Sequence, residues 1–354
     1  MSGSPEAESV EVVGQRLRSF LAARNAGAEG VAIEGLQRSG NGSSRENWPF
    51  DASWRQEGSA VRRKLLLRRD PPSAVVDTGR ATEFALLKAL ESTPVPAPVA
   101  YWLDDEGTEL LRPSMIVDRH PGRAHRAVLR DKNPLGLAEP VRAELAENLC
   151  ELLAQVHRVD VAEAGLLEVL PSPTPDPATA ELDRWERLLD DAELEPQPVL
   201  RWTLRWLRDH VPAPPERLVL VHGDFRPANV LVHNGAVEVL LDWELAHLGD
   251  PLDDLGWYCA PVYTREHFIP GVWEQDDFLK RYRELTGTAV PADALLFWQV
   301  LALFRLAVIA LQGIRIFCAG ETDRPAAPPT ALLRLLAGIV SENPGKARHA
   351  PDPR

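Results

Sequence analysis

The chain has 354 residues, 45% hydrophobic and 26% charged, which is enough for a sizeable core and predicts a globular protein of one large domain or two lobes. A net charge of -13 argues against nucleic-acid partners and against an anionic membrane surface. Three cysteines, Cys150, Cys259 and Cys318, show no metal-ligand spacing and leave one unpaired, so a reduced compartment, the cytoplasm, is expected.

Residues 1–10 are polar and acidic, lack the basic and apolar regions of a signal peptide, and read as disordered. Residues 12–26 have an amphipathic helical pattern. A strand at 33–37 leads through a Gly/Ser turn, with Gly40, Gly42, Ser43 and Ser44, into a second strand. Gln56-Glu57-Gly58-Ser59 reads as a hairpin turn, and a third strand covers 61–69, stopped by Asp70-Pro71-Pro72. A helix follows at 79–90, then short strands at 99–103 and 115–117. Beyond Pro121-Gly122 helical patterns dominate, at 139–158, 179–190, 198–210, 275–286, 292–319 and 329–340. The prolines of 171–177 mark a loop between helices, and no internal repeat is visible. The apolar stretch 294–319 is interrupted by Gln299, Arg305, Gln312 and Arg315, so it reads as a buried helix and not a membrane span.

The chemistry concentrates between 218 and 255. In Val219-Leu220-Val221-His222-Gly223-Asp224-Phe225-Arg226-Pro227-Ala228-Asn229, an Asp precedes an Asn by five residues in a turn between two apolar runs. Asp242-Trp243-Glu244 follows the next apolar run. Phosphoryl transfer to a hydroxyl needs one carboxylate to orient the hydroxyl, and an amide oxygen plus a second carboxylate to hold the magnesium on the nucleotide phosphates. Asp224 is the candidate base, and Asn229 and Asp242 are the candidate metal ligands. His222 is read as a loop organiser, and Gly223 as the residue permitting a tight backbone. Arg226 has three uses open: steering substrate, binding a phosphate, or pairing with a loop carboxylate. Glu244 is either a support to the metal or a salt-bridge partner.

His-Gly-Asp-x4-Asn followed by Asp-Trp-Glu resembles the aminoglycoside phosphotransferase family of small-molecule kinases, which shares the protein-kinase fold. The run from Leu241 through Asp250-Pro251-Leu252-Asp253-Asp254-Leu255 resembles the branch that includes the kinase-like domains fused to acyl-CoA dehydrogenases. The resemblance extends over about 36–257. It implies an α+β two-lobed protein-kinase-like fold, with a small antiparallel-sheet lobe carrying one key helix and a larger, mostly helical lobe. The expected division is 1–117 for the nucleotide lobe, 118–342 for the catalytic and substrate lobe, and 343–354 for a tail.

The resemblance also implies a nucleotide side. Arg68, in Leu66-Leu67-Arg68-Arg69, stands where most kinases carry a phosphate-anchoring Lys, with Lys64 as the alternative, and Glu83 is the implied helix partner. The turn of Gly40, Gly42, Ser43 and Ser44 would cover the phosphates, and backbone groups from Asp118 to His120 would meet the nucleotide base. Asp250 and Asp253 are the implied carboxylates that tie catalytic-loop amides together.

The expected activity is magnesium-dependent transfer of the γ-phosphate of ATP, with GTP as the alternative nucleotide, to a small-molecule hydroxyl. The branch resemblance implies a hydroxylated acyl or lipid-derived acceptor. An aminoglycoside acceptor is the alternative, with Glu266, Glu274, Asp276 and Asp277 as candidate acids for a polycation. A nucleotide-binding regulatory module without turnover is the alternative from another class. A protein kinase fits less well, because the motif is His-Gly-Asp and no Ala-Pro-Glu element follows Asp242.

Overall fold

The computed structural model describes residues 9–39, 46–70, 79–322 and 325–344. The expected disorder at 1–10, most of the expected tail, and the turn with Gly40, Gly42, Ser43 and Ser44 lie largely or wholly outside these residues. The chain forms two compact units, Met1–Pro121 with Glu238–Leu240, and Gly122–Val237 with Leu241–Arg354.

The first unit opens with helix α1 (Val10–Arg24), capped by the Ser9 side chain. Strands β1 (Glu29–Glu34), β2 (Glu46–Gln56) and β3 (Ser59–Arg69) precede helix α2 (Arg80–Leu90), and β4 (Ala100–Asp104) and β5 (Ser114–Asp118) follow it. They form an antiparallel sheet in the order β1-β2-β3-β5-β4. The β2–β3 turn places Glu57 and Gly58 at φ 51° and 79°, the left-handed pair whose twist matches the flanking strands. Along β3, Leu65, Leu67 and Arg69 are buried while Leu66 and Arg68 are partly open, the two-residue alternation of a pleated strand. Leu17, Phe20 and Leu21 of α1 join Phe50, Leu65, Leu67 and Ile116 in one apolar cluster.

The second unit contains α3 (Glu139–His157), the short α4 (Leu166–Val169), α5 (Pro177–Ala192) and α6 (Pro198–Asp209). Strand β6 (Val219–Val221) then leads into the candidate loop. β7 (Val230–His233) and β8 (Ala236–Leu240), whose last three residues count with the first unit, make a hairpin around Asn234-Gly235, and β9 (His247–Gly249) returns to pair antiparallel with β6. Helices α7 (Pro251–Tyr258), α8 (Thr264–His267), α9 (Gln275–Thr286), α10 (Ala292–Cys318) and α11 (Thr330–Glu342) complete it.

Helix α10 is long and apolar enough to cross a membrane, but 72% of its most apolar window is buried inside the protein. It packs on α7, α5, α6 and α11, and its Arg305 is buried in a pair with Asp253. It is therefore a core helix, as its interrupted apolar pattern predicts. Gly256 of α7 lies against the Trp298 backbone, where an added Cβ would come within 2.5 Å of a carbonyl carbon, so this close crossing requires glycine.

Candidate active site

The candidate loop is held at both ends by short strands and bent at Gly223. Gly223 has φ 82°, and a Cβ there would lie 2.5 Å from the Leu245 carbonyl oxygen. Both facts exclude an ordinary side chain just before Asp224. His222 donates from Nε2 to the Leu241 carbonyl at 2.9 Å, and its Nδ1 accepts from the Asp224 amide at 3.3 Å. One imidazole thus ties the loop to the end of β8, as expected of a loop organiser. Its ring also packs against Trp243 at 4.7 Å.

Asp224 and Asn229 come together as their spacing predicts. The Asn229 side-chain nitrogen donates to the Asp224 carbonyl at 2.9 Å and to its carboxylate at 2.8 Å. That fixes the Asn229 amide with its nitrogen toward Asp224 and leaves its oxygen on the opposite side. Asp224 is only 8% exposed, and its second carboxylate oxygen has no hydrogen-bond donor aimed at it among the described residues. The Arg226 Nε lies 2.9 Å from that oxygen as an ion pair without hydrogen-bond alignment. Burial pushes the Asp224 carboxyl above the ordinary range, Arg226 opposes this, and the charge of Asp242 adds to it.

Asp242 has left-handed backbone angles, φ 66° and ψ 58°, at the entry to the 3-10 turn Trp243–Leu245. For a residue with a side chain this conformation costs energy, and such strain concentrates at functional sites. Glu244 sits in that turn, partly buried. The available donors around Asp224, Asn229 and Asp242 are oxygens, the set that magnesium prefers, so the residues present fit that ion.

The three carboxylates after Gly249 have separate tasks. Asp250 caps α7 through the Leu252 amide at 2.8 Å, and burial pushes its carboxyl up to about 6. Asp253 binds both terminal nitrogens of Arg305, at 2.6 and 2.7 Å. Burial disfavours its charge, but Arg305 and His247 hold its carboxyl below the usual range. Neither ties the loop amides. Asp254 does so, accepting from the His222 amide at 2.7 Å and the Gly223 amide at 2.9 Å. The expectation of Asp250 or Asp253 in that role is corrected to Asp254. Behind Asp254, His157 lies at 3.0 Å and in turn contacts the Tyr282 hydroxyl at 2.6 Å, all buried.

Glu181, His247 and Asp253 could by proximity hold a metal ion. Arg305 already fills that place, 2.8 Å from Glu181 and 2.6 Å from Asp253, so the cation of this cluster is a guanidinium. Nor do the four acids proposed for a polycation form one cluster of open charge. Glu266 is paired to Arg126 and Arg130, and Glu274 and Asp277 form the capping box of α9.

In the first unit, Arg68 donates to Glu83 at 2.7 Å, with Glu83 buried, so the implied cation–helix carboxylate pair is present. Lys64 is exposed. The amides of Asp118 and Arg119 are spent on the carbonyls of Val99 and Lys64, each at 3.0 Å. Those two amides are therefore not open to a nucleotide base, contrary to part of the expectation for that segment. The His120 ring lies 2.9 Å from Asp118 and 3.2 Å from Glu238. Its hydrogen bond to Asp118 raises its pKa against the effect of burial, with Glu238 adding to the rise.

Residues 45–291 match the sequence pattern of the phosphotransferase enzyme family. The chain belongs to that family. Membership makes it a phosphotransferase of the small-molecule kinase class, and the α+β fold agrees with solved family structures. A Ralstonia eutropha protein proposed to be an aminoglycoside phosphotransferase aligns with a TM-score of 0.68 at 21% identity, covering 92% of this chain and 95% of that one. The aminoglycoside phosphotransferase APH(4)-Ia, solved with AMP-PNP and hygromycin B, aligns at TM-score 0.58 and 18% identity, covering 93% of this chain and 99% of that one. Among curated proteins, acyl-CoA dehydrogenase family member 10 of Mus musculus is 29% identical over 71% of this chain and 24% of its own length. Acyl-CoA dehydrogenase family member 11 of Gallus gallus is 31% identical over 70% of this chain and 33% of its own length. The chain thus spans a quarter to a third of these two relatives.

Proposed function

We propose that this phosphotransferase moves the γ-phosphate of ATP to a hydroxyl of a small molecule, with magnesium, and that Asp224 serves the acceptor hydroxyl. The carrying observation is the joining of Asp224 to Asn229 through two hydrogen bonds from one amide nitrogen. Asp224 keeps one buried carboxylate oxygen without an aligned donor, suited to a hydroxyl proton. The acceptor oxygen forms a bond to the γ-phosphorus. The bond to the β–γ bridging oxygen breaks, ADP leaves with that oxygen, and the hydroxyl proton passes to Asp224.

Asn229 and Asp242 would hold the magnesium. When bound, that ion neutralises charge on the phosphate oxygens. Arg68, oriented by Glu83, would bind phosphate through its guanidinium. His222, Gly223 and Asp254 shape the loop, so that Asp224 needs little reorganisation during the reaction. AMP-PNP in the APH(4)-Ia structure supports an adenine nucleotide as donor.

The likeness to acyl-CoA dehydrogenase family members supports a hydroxylated acyl or lipid-derived acceptor over an antibiotic. The test is label transfer from γ-labelled ATP, with and without magnesium, into pooled hydroxyacyl metabolites and aminoglycosides, with Asp224→Ala as control. Magnesium-dependent, Asp224-dependent transfer supports the reading. Magnesium-dependent ATP binding without transfer to any pool favours a regulatory nucleotide-binding module.

A further inference from the structure

The carbonyl of Leu245 joins the two halves of the candidate site. Leu245 closes the 3-10 turn Trp243–Leu245 that Asp242 enters. A Cβ on Gly223 would lie 2.5 Å from its oxygen, so this carbonyl packs on the loop backbone just before Asp224. Any shift of the carbonyl therefore moves the Asp242 turn relative to the Asp224 loop.

One side chain holds that carbonyl in place. His247, in β9, lies with Nδ1 2.9 Å from the Leu245 oxygen. Its Nε2 lies 3.2 Å from Asp253 Oδ2, an ion pair outside hydrogen-bond alignment. Both neighbours, a carbonyl and a carboxylate, only accept. A neutral imidazole has one N–H and would turn a nitrogen lone pair on one of them. The imidazolium presents a proton to each. The ring is braced from behind, because both terminal nitrogens of Arg305 clamp Asp253, at 2.6 and 2.7 Å.

The charged groups facing His247 come from three helices. They are Glu181 of α5, 4.0 Å from Nε2 and paired to Arg184 at 3.6 Å, Asp253 of α7, and Arg305 of α10. From β6 the cross-strand neighbour is Val221, which carries no charge. Burial opposes the imidazolium, Glu181 and Asp253 favour it, Arg305 opposes it, and the balance raises the pKa above the ordinary histidine value.

We propose that His247 is a positioning residue for phosphoryl transfer, its imidazolium holding the Leu245 carbonyl and, through it, the Asp242 turn on the Asp224 loop. This rests on the phosphotransferase reading above, in which Asp224 and Asp242 act together. Loss of the proton leaves one of the two acceptors without a donor. The joint is therefore firm below the folded-state pKa of His247 and loosens as pH rises through it.

The first test needs no turnover. In the full chain carrying nitrogen-15 histidine and 5-fluorotryptophan, signals are assigned with His247→Asn and Trp243→Phe. Both His247 ring nitrogens should be protonated at about pH 7.5, where a free histidine is mostly neutral. Trp243 belongs to the turn and its ring packs on His222 at 4.7 Å, so its fluorine signal reports the joint. That signal should shift with the His247 midpoint as pH rises, and should lose this shift in His247→Asn. The second test is label transfer from γ-labelled ATP to the pooled acceptors across pH. Wild-type kcat should fall at alkaline pH with the same midpoint. His247→Gln retains a donor for Asp253 and none for Leu245, so kcat should drop about tenfold with KM for the acceptor within about threefold. His247→Asn retains a donor for Leu245 and does not titrate, so it should recover most of that loss and lack the alkaline limb. A histidine that only stabilised the fold would leave the limb in place. A neutral His247 at pH 7.5 overturns the assignment, as does a Trp243 signal indifferent to its titration or an alkaline limb that persists in His247→Asn. A charged His247 coupled to Trp243, without transfer to any pool, keeps the joint and counts against the kinase reading.

Discussion

Asp254 accepts hydrogen bonds from the amides of both His222 and Gly223, so a residue thirty positions beyond the loop sets the backbone just before Asp224. Its Oδ2 also meets His157 at 3.0 Å, which leaves the carboxylate no freedom to turn away. Asp254→Asn would set an amide N–H₂ against one of these donors. A lost buried hydrogen bond of this kind costs about 1–3 kcal/mol. We expect a lower thermal midpoint and a kcat reduced by about tenfold or more, with KM for ATP little changed. A variant with wild-type kcat would show that the loop holds its shape without Asp254.

Asp224→Asn removes the proposed proton acceptor and keeps the side-chain volume. General-base contributions are about 10²–10⁴-fold, and we expect kcat to fall within that range while the ATP dissociation constant stays within about threefold. Single-turnover label transfer and nucleotide titration give the two numbers. Activity within tenfold of wild type would remove Asp224 from the reaction.

Arg305 joins α10 to α7 and α5 by pairing with Asp253 and Glu181, all three buried. Removing one partner of a buried pair strands the other's charge, at a cost of about 3–5 kcal/mol. Arg305→Met should therefore lower unfolding free energy by that amount, and adding Asp253→Asn should restore part of it. Denaturant titration of the single and double variants measures both. A loss below about 1 kcal/mol would mean that water reaches and screens these carboxylates.

His267 predicts the response to acid. Its Nδ1–H donates to the Tyr258 carbonyl at 2.7 Å, its Nε2 is buried with no partner among the described residues, and burial pushes its pKa down to about 3. In the unfolded chain a histidine titrates near 6.5. Between these values the unfolded state binds the extra proton, so stability is complete above about pH 6.5 and is lost as pH falls toward 3. The slope from this group is about 1.4 kcal/mol per pH unit. Urea unfolding at pH 7 and pH 5 should show a loss that shrinks by roughly 2 kcal/mol in His267→Asn. An unchanged pH dependence would place the acid sensitivity in other groups.

Much of the fold was readable because it follows local rules. The alternation of Leu65, Leu67 and Arg69 against Leu66 and Arg68 defines β3, and Glu57-Gly58 turns it from β2. The pairing of Arg68 with Glu83, across fifteen residues, was implied by the family resemblance and not by any local rule. Helix ends were less exact: α5 begins at Pro177, two residues before its expected start, because Asp176 caps the helix and proline is tolerated in its first turn.

The sequence by itself determined the residue types and spacing of the proposed catalytic set, Asp224, Asn229 and Asp242, because a tight turn and a short hairpin bring these residues near one another. It did not distribute the tasks of Asp250, Asp253 and Asp254. Those three carboxylates fall within five consecutive positions, with Asp250 capping α7 and the adjacent Asp253 and Asp254 turned about 100° from each other around it. What each one does depends on the neighbour it meets: its own helix amides for Asp250, Arg305 of α10 for Asp253, and the loop amides with His157 of α3 for Asp254. The same holds for Glu266, whose charge Arg126 and Arg130 occupy from more than a hundred residues away. Only the packing of helices far apart in the chain decides such partners, since burial makes each carboxylate take the donor that tertiary structure places beside it.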